Sequence, residues 1–186
     1  MLAAPQYTEL FNDRTFDARD RFADVFSLLM DSSALTADTR YPQARVHQTE
    51  LSQKLQALIA SHTDTLHALP RDNHYSRHII GIEESWMGVI CRWEANTTSA
   101  IHGHPWFAYY QVLEGTLSMD LYEAVDEQHA KTVDTLHMDS GDSIWSKGDM
   151  GQYDNMIHKV STQATEGFTL HLFSENPCLG NHYQLA

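Results

Sequence analysis

The sequence predicts a mainly β fold with N-terminal helices, in which a helical segment packs on a β-sandwich or barrel. From about Thr15 to Leu69, apolar residues recur at the spacing of an amphipathic helix. From about His78 onwards, short runs rich in β-branched and aromatic residues alternate with turn residues. Helices followed by many short strands are typical of helices packed on a sandwich or a barrel.

The helical segment is predicted to contain two helices. Apolar residues repeat at three- and four-residue intervals in 22–29 and again in 51–59. Pro42 separates the two runs, Thr49 precedes the second, and Pro70 ends it because proline cannot continue a helix. We therefore expect residues 1–70 to form a helical extension packed on the barrel of residues 71–186, in one structural domain that carries its functional site in the barrel.

Turn residues divide the second part of the chain into short strands. Gly115 and the segments 141–142 and 147–149 supply the clearest turns. The strands are predicted over residues 78–82, 86–93, 106–113, 116–122, 143–145, 156–160 and 168–173.

Composition and charge exclude several classes of partner. The 186 residues are 42% hydrophobic, which is enough for a core, and 25 acidic against 12 basic residues give a net charge of -13. Such a surface repels nucleic acid and anionic membranes. No stretch approaches a membrane span of roughly 20 apolar residues, the N-terminus lacks the features of a signal peptide, and two cysteines are too few for a disulfide scaffold. We expect a cytoplasmic protein, either a monomer or a homodimer.

The clearest functional signal is a pair of histidines, His102 and His104, separated by one residue. On a strand, such residues point to the same face, so both imidazoles are directed at one position inside the barrel. Neutral imidazole is a ligand for iron, zinc, copper or nickel. The third ligand must come from another strand, and His158 is the best candidate, with His171 on a further predicted strand. By itself, the pair could also be two unrelated histidines on one strand face.

The order of these residues resembles the two-part pattern of the cupin superfamily. His102 and His104 are followed by Gly115, and a later turn at 141–142 is followed by His158. The resemblance implies a double-stranded β-helix, or jelly-roll, barrel.

The first cupin segment usually also carries a glutamate ligand. Ala108 or Tyr109 stands at that position here, depending on the end from which one counts, and Glu114 is out of register. The chain therefore resembles the minority of cupins that use three histidines.

Within that minority, the chain resembles the cysteine dioxygenase family of thiol dioxygenases over roughly residues 72–177. Residues 75–77 (Tyr-Ser-Arg) are similar to the family's Tyr-Thr-Arg, and residues 101–104 (Ile-His-Gly-His) to its Ile-His-Asp-His. Trp93 lies as far before the histidine pair as a tryptophan of the family does.

The later part of the chain continues the resemblance in the same order. Residues 158–160 (His-Lys-Val) are similar to the family's His-Arg-Val, and residues 169–174 (Thr-Leu-His-Leu-Phe-Ser) to its Ser-Leu-His-Leu-Tyr-Ser. Each match is short, and their joint order and spacing make the resemblance specific.

The resemblance implies an iron(II) enzyme that adds both atoms of dioxygen to the sulfur of a small thiol carboxylate. It implies His102, His104 and His158 as the iron ligands. It implies His171 and Thr169 as catalytic residues that form a hydrogen-bonded pair. Arg77 is expected to bind the substrate carboxylate, and the other expected substrate-binding residues are Tyr75, Trp93, Phe173 and Tyr109.

Two departures from the family leave the substrate open. Ala108 stands where the family has a cysteine cross-linked to a tyrosine, and Phe173 replaces that tyrosine. Phenylalanine can pack, but it can neither donate a hydrogen bond nor move a proton. A phenol could instead come from Tyr75, Tyr109, Tyr110 or Tyr153. Cysteine, 3-mercaptopropionate, mercaptosuccinate and unrelated acids all stay open as substrates.

Two other functions stay open as well. The chain could be another metal-dependent cupin enzyme, such as a non-thiol oxygenase, an isomerase or a lyase, acting on a small carboxylate with zinc, nickel or manganese. It could also be a non-enzymatic cupin that senses or stores a small molecule.

Overall fold

The computed structural model describes residues 15–31 and 49–186. Within these residues the fold is mainly β, as predicted, and it contains three α-helices, α1 (Ala23–Met30), α2 (Glu50–Ala60) and α3 (Thr63–His67). Thr49 caps α2, because its hydroxyl accepts a hydrogen bond from the backbone N–H of Ser52 at 3.0 Å. The expected break at Pro42 lies outside the described residues.

The strands fall into two sheets. In chain order they are β1 (Thr15–Asp17), β2 (Tyr75–Glu83), β3 (Trp86–Trp93), β4 (Ile101–His104), β5 (Phe107–Glu114), β6 (Thr116–Ala124), β7 (His129–Asp139), β8 (Ser143–Lys147), β9 (Asn155–Thr162), β10 (Gly167–Phe173) and β11 (His182–Leu185).

The first sheet has the order β1-β2-β3-β10-β5-β8. Its strands alternate between two environments, as the two-residue period of a strand requires. On β10, Leu170 and Leu172 face the helices, where they pack with Phe22 and Phe26 in one hydrophobic core. The residues between them on β10 face the second sheet. The helices therefore cover the outer face of the first sheet, and its inner face is left for the site.

The second sheet runs β4-β9-β6-β7, and β11 joins its two ends by pairing with β4 and with β7. A second hydrophobic core fills the space between the sheets. Four buried methionines are part of it, two of them from strands β3 and β9 and two from β6 and β7, namely Met87, Met156, Met119 and Met138.

Helix α1 is seated on two glycines of the first sheet. Gly81 on β2 and Gly88 on β3 are paired across the strands, and a Cβ atom added to either one would overlap the ring of Phe26. The absence of side chains at these two positions lets the phenylalanine lie directly against the sheet backbone.

The prediction of helix from Thr15 onwards is wrong at its first residues. Thr15–Asp17 forms β1, which pairs in parallel with residues 77–79 of β2. The backbone N–H of Ala18 continues the pairing by donating to the carbonyl of Ile79 at 2.8 Å. Pairing with the edge of a sheet provides hydrogen-bond partners for backbone groups that a single frayed helical turn would leave unsatisfied.

Among the described residues, no helix has both the length and the apolar character needed to cross a membrane.

Candidate metal centre

Three histidines from two neighbouring strands of the second sheet converge at one end of the space between the sheets. His102 and His104 lie on β4, and His158 lies on β9 directly opposite His102. One ligand nitrogen from each lies within 4.8 Å of the others, and the Nε2 atoms of His104 and His158 are 3.4 Å apart. The predicted group of three imidazoles is therefore brought together by the fold.

A bulge beside the histidines sets their orientation. The pairing slips by one residue between His102, opposite His158, and His104, opposite Asn155. Met156, the residue after Asn155, adopts a left-handed backbone with φ of 49°. Such bulges occur next to functional sites, where they redirect side chains.

Gly103 between the two β4 histidines allows the close approach of a loop. A Cβ atom at this position would come within contact distance of the carbonyl oxygen of Tyr153 and the Cα of Asp154. The residue between the two histidines must therefore lack a Cβ atom.

The three histidines are neutral, which is the form in which imidazole binds a metal. The Nδ1 atom of His102 lies 2.9 Å from the carbonyl oxygen of Ala100 and must donate to it, which leaves the lone pair on Nε2 available to a metal. Desolvation lowers the pKa of His102 to about 4. Burial, and then the neighbouring histidines, lower the pKa of His104 and His158 well below the usual value. Three neutral imidazoles suit iron(II), zinc, copper or nickel.

The predicted pair on β10 is also formed. Thr169 Oγ1 and His171 Nε2 are 2.8 Å apart, and the indole N–H of Trp93 donates to the same Oγ1 at 2.8 Å. Burial lowers the pKa of His171 to about 3, so its ring is neutral. The Nδ1 atom of His171 has no hydrogen-bond partner among the described residues.

Phe173 packs between the metal-binding group and this pair. Its ring stacks on His104, with centroids 5.0 Å apart and planes at 15°, and on His171 at 5.4 Å and 21°. Ala108 stands directly opposite Phe173 in the pairing of β5 with β10. The two positions at which the sequence departs from the thiol dioxygenases therefore face each other, and both are apolar.

Arg77 lies on β2, in the other sheet, and is half-buried. Its Nη1 donates to the thiol of Cys178 at 3.4 Å, and its Nε has no partner among the described residues. Within residues 15–31 and 49–186, no carboxylate forms an ion pair with it. Tyr75 stands beside it, stacked on Trp93 at 4.6 Å, and the guanidinium carbon is 5.8 Å from the Tyr75 ring centroid.

The three histidines, His171, Phe173 and Arg77 border one cavity of about 210 Å³ between the sheets. The histidines of β4 and β9 form one wall, and residues of the first sheet form the other. The first-sheet residues with aromatic or polar side chains are Tyr75, Arg77, Trp93, Tyr110, His171 and Phe173. The cavity thus joins a metal-binding group to a guanidinium.

The expectation that Tyr109 binds substrate is wrong. Its side chain belongs to the core under the helices, and its hydroxyl donates to Gln111 Oε1 at 2.8 Å. Strand alternation is the reason, because the β5 residues on either side, Ala108 and Tyr110, face the inner core. Tyr153 does not border the cavity either, since its hydroxyl donates to Glu175 at 3.0 Å. Applying the two-residue period to β5 would have selected Tyr110.

Cys178 and His182 are among the cavity residues with no predicted role. Cys178 is exposed in a short 3₁₀ turn, Pro177–Leu179, and contacts Arg77. His182 on β11 pairs with His102, and the two ring centroids are 6.2 Å apart. Both lie in polar segments near the C-terminus that only the folded chain brings to the site.

The sequence matches no protein-family model. It also matches no curated protein sequence.

Solved structures similar to this chain include cupin superfamily proteins. One is a cupin superfamily protein from Desulfitobacterium hafniense DCB-2, with 8% identity, a TM-score of 0.43, and coverage of 56% of this chain and 81% of that one. Another is a cupin-2 domain protein from Shewanella frigidimarina, with 15% identity, a TM-score of 0.42, and coverage of 59% and 88%. A third is a sugar phosphate isomerase of the cupin superfamily from Silicibacter pomeroyi, with 17% identity, a TM-score of 0.40, and coverage of 54% and 59%. At such identities and TM-scores, nothing about the chemistry of this chain follows from them.

Proposed function

We propose that the protein is a non-haem iron(II) thiol dioxygenase that converts a small thiol carboxylate into its sulfinic acid. One observation carries the proposal: a single cavity joins three neutral imidazoles on one sheet to a guanidinium on the other that has no carboxylate partner among the described residues. A ligand with a soft metal-binding group at one end and a carboxylate at the other is complementary to both walls.

Arg77 is the group that would bind the carboxylate. Guanidinium and carboxylate form two parallel charge-assisted hydrogen bonds, which fix orientation as well as position. A half-buried guanidinium whose one hydrogen bond among the described residues is to a thiol gains from an anionic partner. Because this contact lies on the opposite wall from the histidines, it would hold the sulfur end of the substrate towards them.

His102, His104 and His158 would hold the metal. Bound there, iron(II) would supply the redox chemistry that lets a thiol react with dioxygen. The overall reaction, RSH + O2 to RSO2H, oxidises sulfur, reduces dioxygen and needs no other co-reactant. Phe173 and Val89 border the same cavity and would limit the access of water to the reacting groups.

An oxygen-electrode screen of the iron-loaded protein tests the proposal. We expect oxygen uptake only when a thiol carboxylate is added, with about one dioxygen consumed per sulfinate formed. His104→Gln should lose iron and uptake together. The control is His78→Gln, since His78 is buried on β2 away from the metal-binding group and should not be needed for iron. Stoichiometric iron without uptake across a broad panel of thiol carboxylates would reject the proposal.

A second candidate is another metal-dependent cupin enzyme acting on a small carboxylate. The observation that favours it is the apolar pair Ala108 and Phe173, which places neither a thiol nor a phenol where the thiol dioxygenases have both. The three-histidine group also suits zinc and nickel. Metal analysis after purification without added metal separates the two candidates, because turnover supported by zinc or nickel and not by iron would favour this one.

A further inference from the structure

We propose that Tyr110 supplies the phenol of this site and acts as a positioning residue, with its hydroxyl hydrogen-bonded to the ligand held between the three histidines and His171. The chemical identity of that ligand rests on the proposed function. The position of Tyr110 beside the histidines does not depend on it.

Strand β5 brings the Tyr110 ring between the two groups of histidines. Tyr110 pairs with His171 across β5 and β10. Its ring meets the His171 ring edge-on, with centroids 4.4 Å apart at 82°, and approaches the ring of the metal-binding His158 at 6.0 Å and 85°. Tyr110 is thus in contact with both groups that border the histidine end of the cavity.

The hydroxyl of Tyr110 is buried and lacks a partner within the described part of the chain. The side chain is 1% exposed, and its oxygen makes no hydrogen bond there. A buried hydroxyl without a partner is costly, so a group in the adjoining cavity is expected to bond to it. The neighbouring Tyr109, equally buried, shows the contrast, because its hydroxyl donates a hydrogen bond to Gln111.

Thr169 does not supply the missing hydrogen-bond partner of the Tyr110 hydroxyl. It lies close enough to Tyr110 to oppose, in part, the rise in the pKa of Tyr110 that burial causes. Its oxygen accepts the indole N–H of Trp93 and bonds to His171, and within the described residues it makes no hydrogen bond with the Tyr110 hydroxyl. Tyr110 therefore extends this polar group towards the cavity.

The other aromatic residues of the cavity are committed elsewhere. The ring of Phe173 is stacked between His104 and His171 and has no hydroxyl. Tyr75 is stacked on Trp93 beside Arg77, at the carboxylate end. Tyr110 is the cavity tyrosine that contacts the histidines.

The test compares Tyr110→Phe with Tyr109→Phe, the same change on the opposite face of the same strand. In iron-loaded protein, Tyr110→Phe should lower kcat about tenfold or more, with a smaller change in KM for the thiol. Tyr109→Phe should keep kcat within about twofold of the wild type, because its hydroxyl bonds away from the cavity. The electron paramagnetic resonance spectrum of the iron(II)–nitric oxide adduct should change in Tyr110→Phe and stay as in the wild type in Tyr109→Phe.

Two further variants guard against a merely structural effect. Phe173→Tyr added to Tyr110→Phe should restore part of the lost kcat by returning a phenol to the cavity. The kcat of this double variant is compared with that of Phe173→Tyr alone, measured under the same conditions. Folded Tyr110→Phe with wild-type kcat and an unchanged nitric oxide spectrum would overturn the inference. If wild-type protein turns over no thiol, the proposed function fails, while the spectra of the two tyrosine variants still decide the role of Tyr110.

Discussion

At Arg77, two substitutions can separate the contribution of the positive charge from that of the planar guanidinium. Its guanidinium faces the cavity, where one nitrogen has no partner within the described part of the chain and another is bonded to the Cys178 thiol. Lysine at this position would keep the positive charge but lose the planar fork, and glutamine would lose both. The two substitutions therefore report different parts of the same contact.

We predict that Arg77→Gln raises KM for thiol carboxylates by about tenfold or more, because a charge-assisted hydrogen bond is lost. Arg77→Lys should give an intermediate KM, and kcat should change less than KM in both. The control substrate is 2-mercaptoethanol, a thiol without a carboxylate, whose KM should not respond. Equal increases in KM for both kinds of thiol would show that Arg77 does not bind the carboxylate of the substrate.

A second prediction at the residue scale concerns Gly103 and the iron content of the protein. Gly103→Ala should lower the iron content per chain, because its Cβ atom would press on the backbone of 153–154 and displace the two flanking ligands. Gly88→Ala is the matched control, since it overpacks Phe26 on the helix side of the first sheet and should lower stability without lowering iron content. Metal analysis and thermal unfolding of both variants check this. Full iron content in Gly103→Ala would contradict it.

At the scale of elements, the docking of α1 depends on one ring and two glycines. Phe26 belongs to the core under the helices, and its ring occupies the space that a Cβ atom on Gly81 or Gly88 would need. This contact joins the described helical residues to the first sheet.

We predict that Gly88→Ala lowers the free energy of unfolding by about 1–3 kcal/mol through overpacking. Phe26→Ala should lower it by about 3–5 kcal/mol through the cavity it leaves. The double variant should cost clearly less than the sum, because the truncated ring makes room for the new methyl group. Urea denaturation of the four proteins measures the coupling, and strict additivity would argue against the contact.

How well each element could be predicted depends on how much of it is buried. The strand predicted over residues 86–93 coincides with β3, whose burial makes its sequence almost wholly apolar. Strand β7 was missed because most of its residues are exposed and polar, and β11 was missed for the same reason. Nothing local in 15–17 indicates β1, which exists because β2 offers it an edge.

The same distinction applies to the site. The histidines of β4, β9 and β10 were predictable because strand spacing and order carry them. Tyr109 and Tyr110 both stayed open as sources of a phenol, because the sequence alone does not say which face of β5 each residue takes. Cys178 and His182 reach the cavity through a turn and an edge strand whose course depends on tertiary packing.

At the scale of the whole molecule, buried neutral histidines link stability to pH. His78 is fully buried on β2, and its ring N–H donates to Ser76, whose own hydroxyl donates to the carbonyl of Pro70. Burial, followed by the positive charge of Arg92, lowers the pKa of His78 to about 4. Below its unfolded pKa of 6.5, the unfolded chain binds a proton there that the folded chain does not.

We predict that the free energy of unfolding falls as the pH drops from 6.5 towards 4, the pKa values of His78 in the unfolded and folded chain. Each such group contributes at most about 1.4 kcal/mol per pH unit in this range. His78→Gln should make the fall shallower, which urea denaturation of metal-free protein at several pH values can measure. An unchanged slope in His78→Gln would show that His78 does not titrate in this window.

The two ends of the proposed substrate site belong to different sheets, with the metal-binding histidines on one and Arg77 on the other. The distance between the two sheets therefore limits the length of a molecule that can contact both groups. That distance depends on the methionines of the core between the sheets, whose flexible side chains can repack without unfolding of the protein. Selection by substrate length could thus be retuned from deep inside the protein, with every residue that touches the substrate left in place.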